Sequence, residues 1–274
     1  MNAPPPFFTR YGFSRPDPSA KSLAIEPYPE ICTAGALRAT IVASAIDLVG
    51  GMYTREIAGV DATFTSDLSL RIPRPGVPDR IVARGERLRA GRRLITTGVT
   101  LEHAGTPWAY GETTFSRIPR AKENAPDLEA LSTPLQIPSH PLDRALTDEV
   151  GVEVIAPETG QIQVQLRDAL LNPEGVMQGA LVALAVECAA LARADHDGAS
   201  EGMGARVVTE LDLRYLAAAS AGPLTGRADW IGEPSTGMLR VELRDTGQDD
   251  RLTTTALVRV DACLLYTSPS PRDS

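Results

Sequence analysis

The sequence predicts an α+β protein made of two tandem copies of one unit, each a central helix followed by a meander of antiparallel strands. Three observations predict this. Two stretches of small and aliphatic residues have helical spacing, one opening at Ala34-Gly35-Ala36-Leu37 and one at Gln178-Gly179-Ala180-Leu181. Each is followed by a run in which apolar and polar residues alternate, the mark of a strand with one buried face. The two sets also stand at a nearly constant separation. Gly35 aligns with Gly179, 144 residues on, and Asp67-Leu68 with Glu210-Leu211, 143 residues on. That reads as an internal duplication with one residue of slippage.

The elements follow in order. Residues 1–30 carry Pro4, Pro5, Pro6, Pro16, Pro18, Pro27 and Pro29, a composition suited to an extended strap with Phe7, Phe8 and Phe13 as anchors. The first helix runs through Ile41, Val42, Ala45, Ile46 and Val49. The alternating run then places Phe64, Leu68, Leu70 and Ile72 on one face, with Asp67, Ser69 and Arg71 between them. Strands are expected at 81–88, 93–102 and 107–118, separated by the turn residues Ala90-Gly91 and Ala104-Gly105. A Pro-rich stretch between Pro119 and Pro141 reads as a linker. It divides the chain into a first unit with its strap (1–130) and a second unit (131–262).

In the second unit Leu211, Leu213 and Tyr215 alternate with Glu210, Asp212 and Arg214. Strands are expected at 226–231, 238–245 and 252–260, with turns at Glu233-Pro234 and Thr246-Gly247. Residues 263–274, CLLYTSPSPRDS, continue neither the repeat nor its periodicity and read as a tail that is not native.

Composition excludes several classes. The chain has 274 residues, 43% of them hydrophobic, enough for one large core or two modest ones. A net charge of -8 argues against a nucleic-acid or anionic-membrane partner. Cys32, Cys188 and Cys263 form no CxxC pair and suit reduced thiols in a cytoplasmic protein. No apolar run reaches the ~20 residues of a membrane span, and the N-terminus lacks the apolar segment of a signal peptide. His103, His140 and His196 sit in turn or linker contexts without ligand spacing, so no metal site is expected.

Everything centres on residues 172–193, NPEGVMQGALVALAVECAALAR. Asn172-Pro173 and Gly175 give the turn chemistry, and a helix follows with Leu181, Leu184, Ala185, Cys188, Leu191 and Ala192 at helical spacing. Glu187 breaks the pattern. Ala183 and Leu184 precede it by a turn, Ala190 and Leu191 follow it, and no basic residue shares its face. A carboxylate taken out of water without a partner costs several kcal/mol or has its pKa raised. It is therefore either answered from elsewhere in the fold or kept for chemistry.

These residues carry a resemblance. The pattern N-x-x-G-x-x-[HQ]-G, here Asn172, Gly175, Gln178 and Gly179, with an acid eight residues after the last glycine and then an alternating strand and a meander, resembles the hotdog-fold acyl-CoA thioesterases. Two copies resemble the double-hotdog members, whose halves form a pseudo-dimer, each helix wrapped by its sheet. The resemblance spans residues 27–262. It implies an acyl-CoA substrate, hydrolysis to free acid and coenzyme A, and no cofactor. Gly179 would offer its backbone N–H to the oxyanion. Glu187 would be general base or nucleophile, Asn172 or Gln178 would position the carbonyl or the water, and Thr209 would stand beside the acid.

The first unit departs from the pattern. Eight residues after Gly35 stands Ala43; the acid comes one turn later, at Asp47, and Tyr28 replaces Asn172. Because such sites are built across the interface, two mixed sites are open. One joins Gly179 and Asn172 to Asp47 and Ser66; the other joins Gly35 to Glu187 and Thr209. An arginine bridging Glu187 would remove it from the chemistry.

The basic stretch 71–93 offers Arg92 and Arg93, in a turn, to the phosphates of coenzyme A. The alternative class is a non-catalytic hotdog module that binds acyl-CoA or serves as an assembly surface, and pairing of two chains through sheet edges fits either reading. A hotdog hydratase fits poorly, since its D-x-x-x-x-H arrangement is missing.

Overall fold

A computed structural model describes residues 7–17, 20–59, 61–119, 141–172, 174–200 and 205–262. The linker expected at 119–141 and the tail at 263–274 lie almost wholly outside these. Strands β1 (Phe13–Asp17) and β2 (Ser22–Ile25) precede a small hairpin, β3 (Cys32–Thr33) and β4 (Ala36–Leu37). Helix α1 (Ala39–Ala58) is followed by β5 (Ala62–Arg71), β6 (Ile81–Ala90), β7 (Leu94–His103) and β8 (Thr106–Ile118). After the short helix α2 (Leu146–Val150) come β9 (Val152–Ala156) and β10 (Gln161–Val164). Helix α3 (Gly179–Ser200) leads into β11 (Arg206–Tyr215), β12 (Leu224–Trp230), β13 (Met238–Asp245) and β14 (Arg251–Ala262).

Twelve of the strands form one sheet in the order β1-β2-β6-β7-β8-β5-β11-β14-β13-β12-β10-β9. The order is a palindrome about the β5–β11 pair, so each strand of one half has a counterpart in the other. The strap expected over residues 1–30 is therefore corrected in part: Phe7 and Phe13 are buried anchors, but β1 and β2 are sheet strands, the counterparts of β9 and β10. Seven prolines concealed them, because residues 22–25 (SLAI) are buried throughout and show no alternation.

At the seam, β5 and β11 run antiparallel with Leu70 opposite Leu211 and Leu68 opposite Leu213, all four buried. On the outer face Arg71 grips Asp212 through two nitrogens at 2.8 and 2.9 Å, and Arg214 reaches Asp67 at 3.0 Å. Such exposed pairs add little stability, but opposite charges across the pair fix its register.

The two helices pack against each other on the inner face of the sheet. Residues 39–46 of α1 and 181–190 of α3 are buried on every side, as sheet plus partner helix require of small, apolar residues. Gly50 and Gly111 let α1 lie close on β8: a Cβ on Gly50 would lie 2.2 Å from Thr113 Cγ2, and one on Gly111 would lie 2.3 Å from Ile46 Cδ1.

Candidate active site

The helix starts fix the correspondence between halves, and they move it from the expected alignment. Gly35 does not open a helix. Ala34 and Gly35 have φ of +47° and +76° and make the turn of the β3–β4 hairpin, and α1 begins four residues later. Ala39 thus corresponds to Gly179, Arg38 to Gln178, and Asp47 to Glu187, each acid eight residues into its helix. The first unit has its acid in register after all; a hairpin between glycine and helix disguised it.

Of the two acids, Glu187 points to the start of the opposite helix. Glu187 is completely buried, and its Oε2 accepts a 3.0 Å hydrogen bond from the N–H of Thr40 in the first turn of α1. Arg38 Nη1 stands 3.8 Å from Oε1. The positive helix end and the guanidinium together neutralise this carboxylate, so Glu187 is answered from elsewhere in the fold. The partner comes from the residue before α1, which the pattern within α3 could not reveal.

Asp47 lies in a different setting. It is half-buried, and its Oδ1 accepts a 2.7 Å bond from the hydroxyl of Thr65. Burial pushes its pKa above the ordinary carboxylate value, although the hydroxyls of Thr65 and Thr113 pull it down. No guanidinium or ammonium pairs with it among the described residues. Tyr215 stands at the second helix: its hydroxyl donates to the carbonyl of Gly179 at 3.1 Å, and its phenol is held far above the ordinary range by burial, with the charge of Asp47 adding to the rise. The N–H groups of Gly179 and Ala180, at the start of α3, have no acceptor among the described residues. Around Gly179 an added Cβ would find nothing nearer than Tyr215 Oη at 3.7 Å.

Chain length separates the two ends of the seam. Glutamate is one methylene longer than aspartate and reaches the Thr40 amide. Asp47 turns instead to Thr65, leaving the corresponding amide of Ala180 open.

The other expected residues are placed as follows. Asn172 Oδ1 accepts from the N–H groups of Glu174 and Val176 at 3.0 and 3.1 Å, shaping the loop that enters α3. Gln178 Nε2 donates to the carbonyls of Ala169 and Leu171 at 3.4 and 3.3 Å, holding the same loop. Thr209 donates to Asp261 at 2.5 Å, and Ser66 to Asp67 at 2.8 Å. Arg92 and Arg93 are exposed in the β6–β7 turn, just before Ile95, which pairs with Phe115 and through it with Thr65, the residue that holds Asp47.

Thr65, Thr113, Tyr215 and Arg38 are not among the site residues expected from the sequence, where Tyr215 counts only as a strand residue. Thr65 was hidden by a β-bulge. Between Thr65 (opposite Phe115) and Asp67 (opposite Thr114) β5 gains one residue, so the face alternation flips. Thr65 turns inward to Asp47, whereas Phe64, read as core, is 42% exposed. Two surface hollows, of about 460 Å³ beside Asp212 and Arg240 and about 380 Å³ beside Tyr53 and Arg87, touch neither acid.

No protein-family model matches the chain, and no curated protein matches it. Solved structures do. An acyl-ACP thioesterase from Bacteroides thetaiotaomicron is 11% identical, covers 89% of this chain and 100% of its own, and superposes with a TM-score of 0.57. The tesB protein of Mycobacterium avium subspecies paratuberculosis is 12% identical over 91% and 95%, with a TM-score of 0.55. A conserved protein of unknown function with a hot dog fold, from Alicyclobacillus acidocaldarius, is 14% identical over 93% and 97%, with a TM-score of 0.52. The chain has the hotdog fold, and structures titled thioesterases are among its neighbours.

Proposed function

We propose that this hotdog chain is a tandem double hotdog that hydrolyses acyl thioesters, with acyl-CoA as substrate, at a site formed by Asp47 and the first turn of α3. The observation that carries the reading is a half-buried carboxylate of raised pKa, without a cationic partner among the described residues, whose charge is felt by Tyr215, the phenol bonded to the carbonyl of Gly179 at a helix start whose first amides have no acceptor among the described residues. In the reaction Asp47 takes a proton from water as the oxygen adds to the thioester carbonyl. The N–H groups of Gly179 and Ala180 receive the developing oxyanion, and one such donor is worth ~3–4 kcal/mol. The C–S bond then breaks and the sulfur leaves with the proton held by Asp47, giving free acid and thiol. Thr65 orients the carboxylate, while Asn172 and Gln178 keep the loop before α3 in shape.

Purified protein is expected to release free thiol from a panel of aliphatic and aryl acyl-CoAs, and Asp47→Asn to lower kcat by ~10²–10⁴ with an unchanged melting temperature or a higher one. Full activity in a folded Asp47→Asn protein would refute the assignment. A second reading, a non-catalytic module that binds acyl-CoA, is favoured by Glu187, which keeps the family spacing yet is already engaged by Thr40 and Arg38. Saturable acyl-CoA binding without thiol release at any chain length would select it. No described helix is long and apolar enough to cross a membrane; a cytoplasmic location and self-association through an outer strand such as β9, where Val154 and Ile155 are about half exposed, belong to the same proposal.

A further inference from the structure

The α1 end of the seam holds polar groups that the Asp47 site does not use. Glu187 Oε1, Arg38 Nε and Thr40 Oγ1 are all buried and have no hydrogen-bond partner among the described residues. Glu187 and Thr40 are 0% exposed and Arg38 is 7% exposed. A buried polar atom left unpaired costs ~1–3 kcal/mol, so three in one place, around a helix start, are not there for stability. They lie where the counterpart end of the seam carries Asp47, Gln178 and Ala180.

We infer that the start of α1 is a second hydrolase site of the same construction, shut by its own acid, which fills the position meant for the substrate's oxyanion. The inference rests on the Asp47 reading and extends it to the seam's other end. In the resting protein Glu187 Oε2 sits on the Thr40 amide at 3.0 Å, where the carbonyl oxygen of a thioester would have to lie. The same carboxylate cannot both occupy that amide and take a proton from water in front of it. Arg38, where the open end has Gln178, lies against the carboxylate and closes the approach. Shortening the acid by one methylene and replacing the arginine by glutamine would copy the acid and the residue before the helix of the open end, although Val208 stands where that end has Thr65. The step is then the same: water adds to the carbonyl carbon, its proton passes to the acid and on to the leaving sulfur, and the C–S bond breaks.

Two measurements test this on the full chain. The first compares acyl-CoA turnover of Asp47→Asn with that of Asp47→Asn/Glu187→Asp/Arg38→Gln. Turnover at least about tenfold above the single variant, a modest share of what an oxyanion donor and a base supply, is expected. A folded triple variant no more active than Asp47→Asn overturns the inference. The second needs no new activity and decides the matter if the triple variant does not fold. Glu187→Ala empties the position on the Thr40 amide, so sodium acetate, against sodium chloride at equal ionic strength, should raise its melting temperature saturably and by more than it raises that of the wild type, since the α3 amides are open in both. The absence of an acetate-specific shift in excess of the wild type's overturns the inference. Wild-type protein inactive on every acyl-CoA would instead sink the Asp47 reading itself.

Discussion

Glu187 in the second half and Thr40 in the first are joined by a 3.0 Å hydrogen bond from backbone amide to carboxylate, across the seam and 147 residues apart in sequence. Asp47, the counterpart of Glu187, makes no such bond among the described residues and is held by Thr65 instead. The two acids of a nearly symmetric molecule therefore have opposite states, one sealed and one half-open, and the expected behaviour of the protein follows from that difference.

Asp47 should impose a pH dependence on rate and on stability. Its pKa is raised by burial, so kcat/KM should climb with pH through an apparent pKa above the ordinary aspartate value of about 3.9. A folded-state pKa above the unfolded one means that this group's stabilising contribution is complete below the unfolded pKa and is lost as pH rises through the folded one. Asp47→Asn should therefore melt higher than wild type at neutral pH, and the gap should close toward pH 4. Melting curves across that range check it; a gap that widens on acidification would contradict the assignment.

Glu187→Gln keeps an acceptor for Thr40 but leaves Arg38 buried without a counter-charge. Breaking a buried pair by removing one partner costs ~3–5 kcal/mol, and the 3.8 Å separation here points to the lower end. Chemical denaturation of Glu187→Gln beside Glu187→Gln/Arg38→Gln measures it. The second substitution is expected to recover part of the loss.

Gly50→Ala should weaken both packing and turnover. The new methyl would meet Thr113 Cγ2 at 2.2 Å and Phe115 Cε2 at 3.1 Å, and Thr113 is β-branched and stiff at χ1. Overpacking of this kind costs ~1–3 kcal/mol. Because the Thr113 hydroxyl also faces Asp47, kcat should fall at temperatures where the variant is still fully folded.

Asp245 anchors the β12–β13 end of the second half. It is completely buried, with Oδ1 accepting from the N–H groups of Gly222 and Gly247 and Oδ2 from those of Ser220 and Ala221. Burial pushes its pKa up, but the four amides outweigh that and hold it below the ordinary value. Its contribution is present above the unfolded pKa of about 3.9 and is lost as pH falls through the lower folded one. In Asp245→Asn the amide nitrogen must face two donors whichever way it is turned, leaving groups that cost ~1–3 kcal/mol each. Urea titrations at pH 7 and pH 3 should show a large deficit at neutral pH that shrinks in acid.

The α+β class, the two buried helices, most of the strands and an acid within each helix were legible in the amino-acid order. Those follow from periodicity and spacing, which are local properties of a chain. The four-residue offset between Gly35 and the true start of α1 escaped it, because a two-residue turn with positive φ looks the same on paper as a helix entrance. The bulge at Ser66, which swaps Phe64 for Thr65 on the inner face, escaped it for a related reason: one extra residue changes parity without changing composition. Which acid is sealed became visible in the packing of the two helices. That choice depends on an arginine and an amide from the other half, and on whether the side chain carrying the carboxylate has one methylene or two.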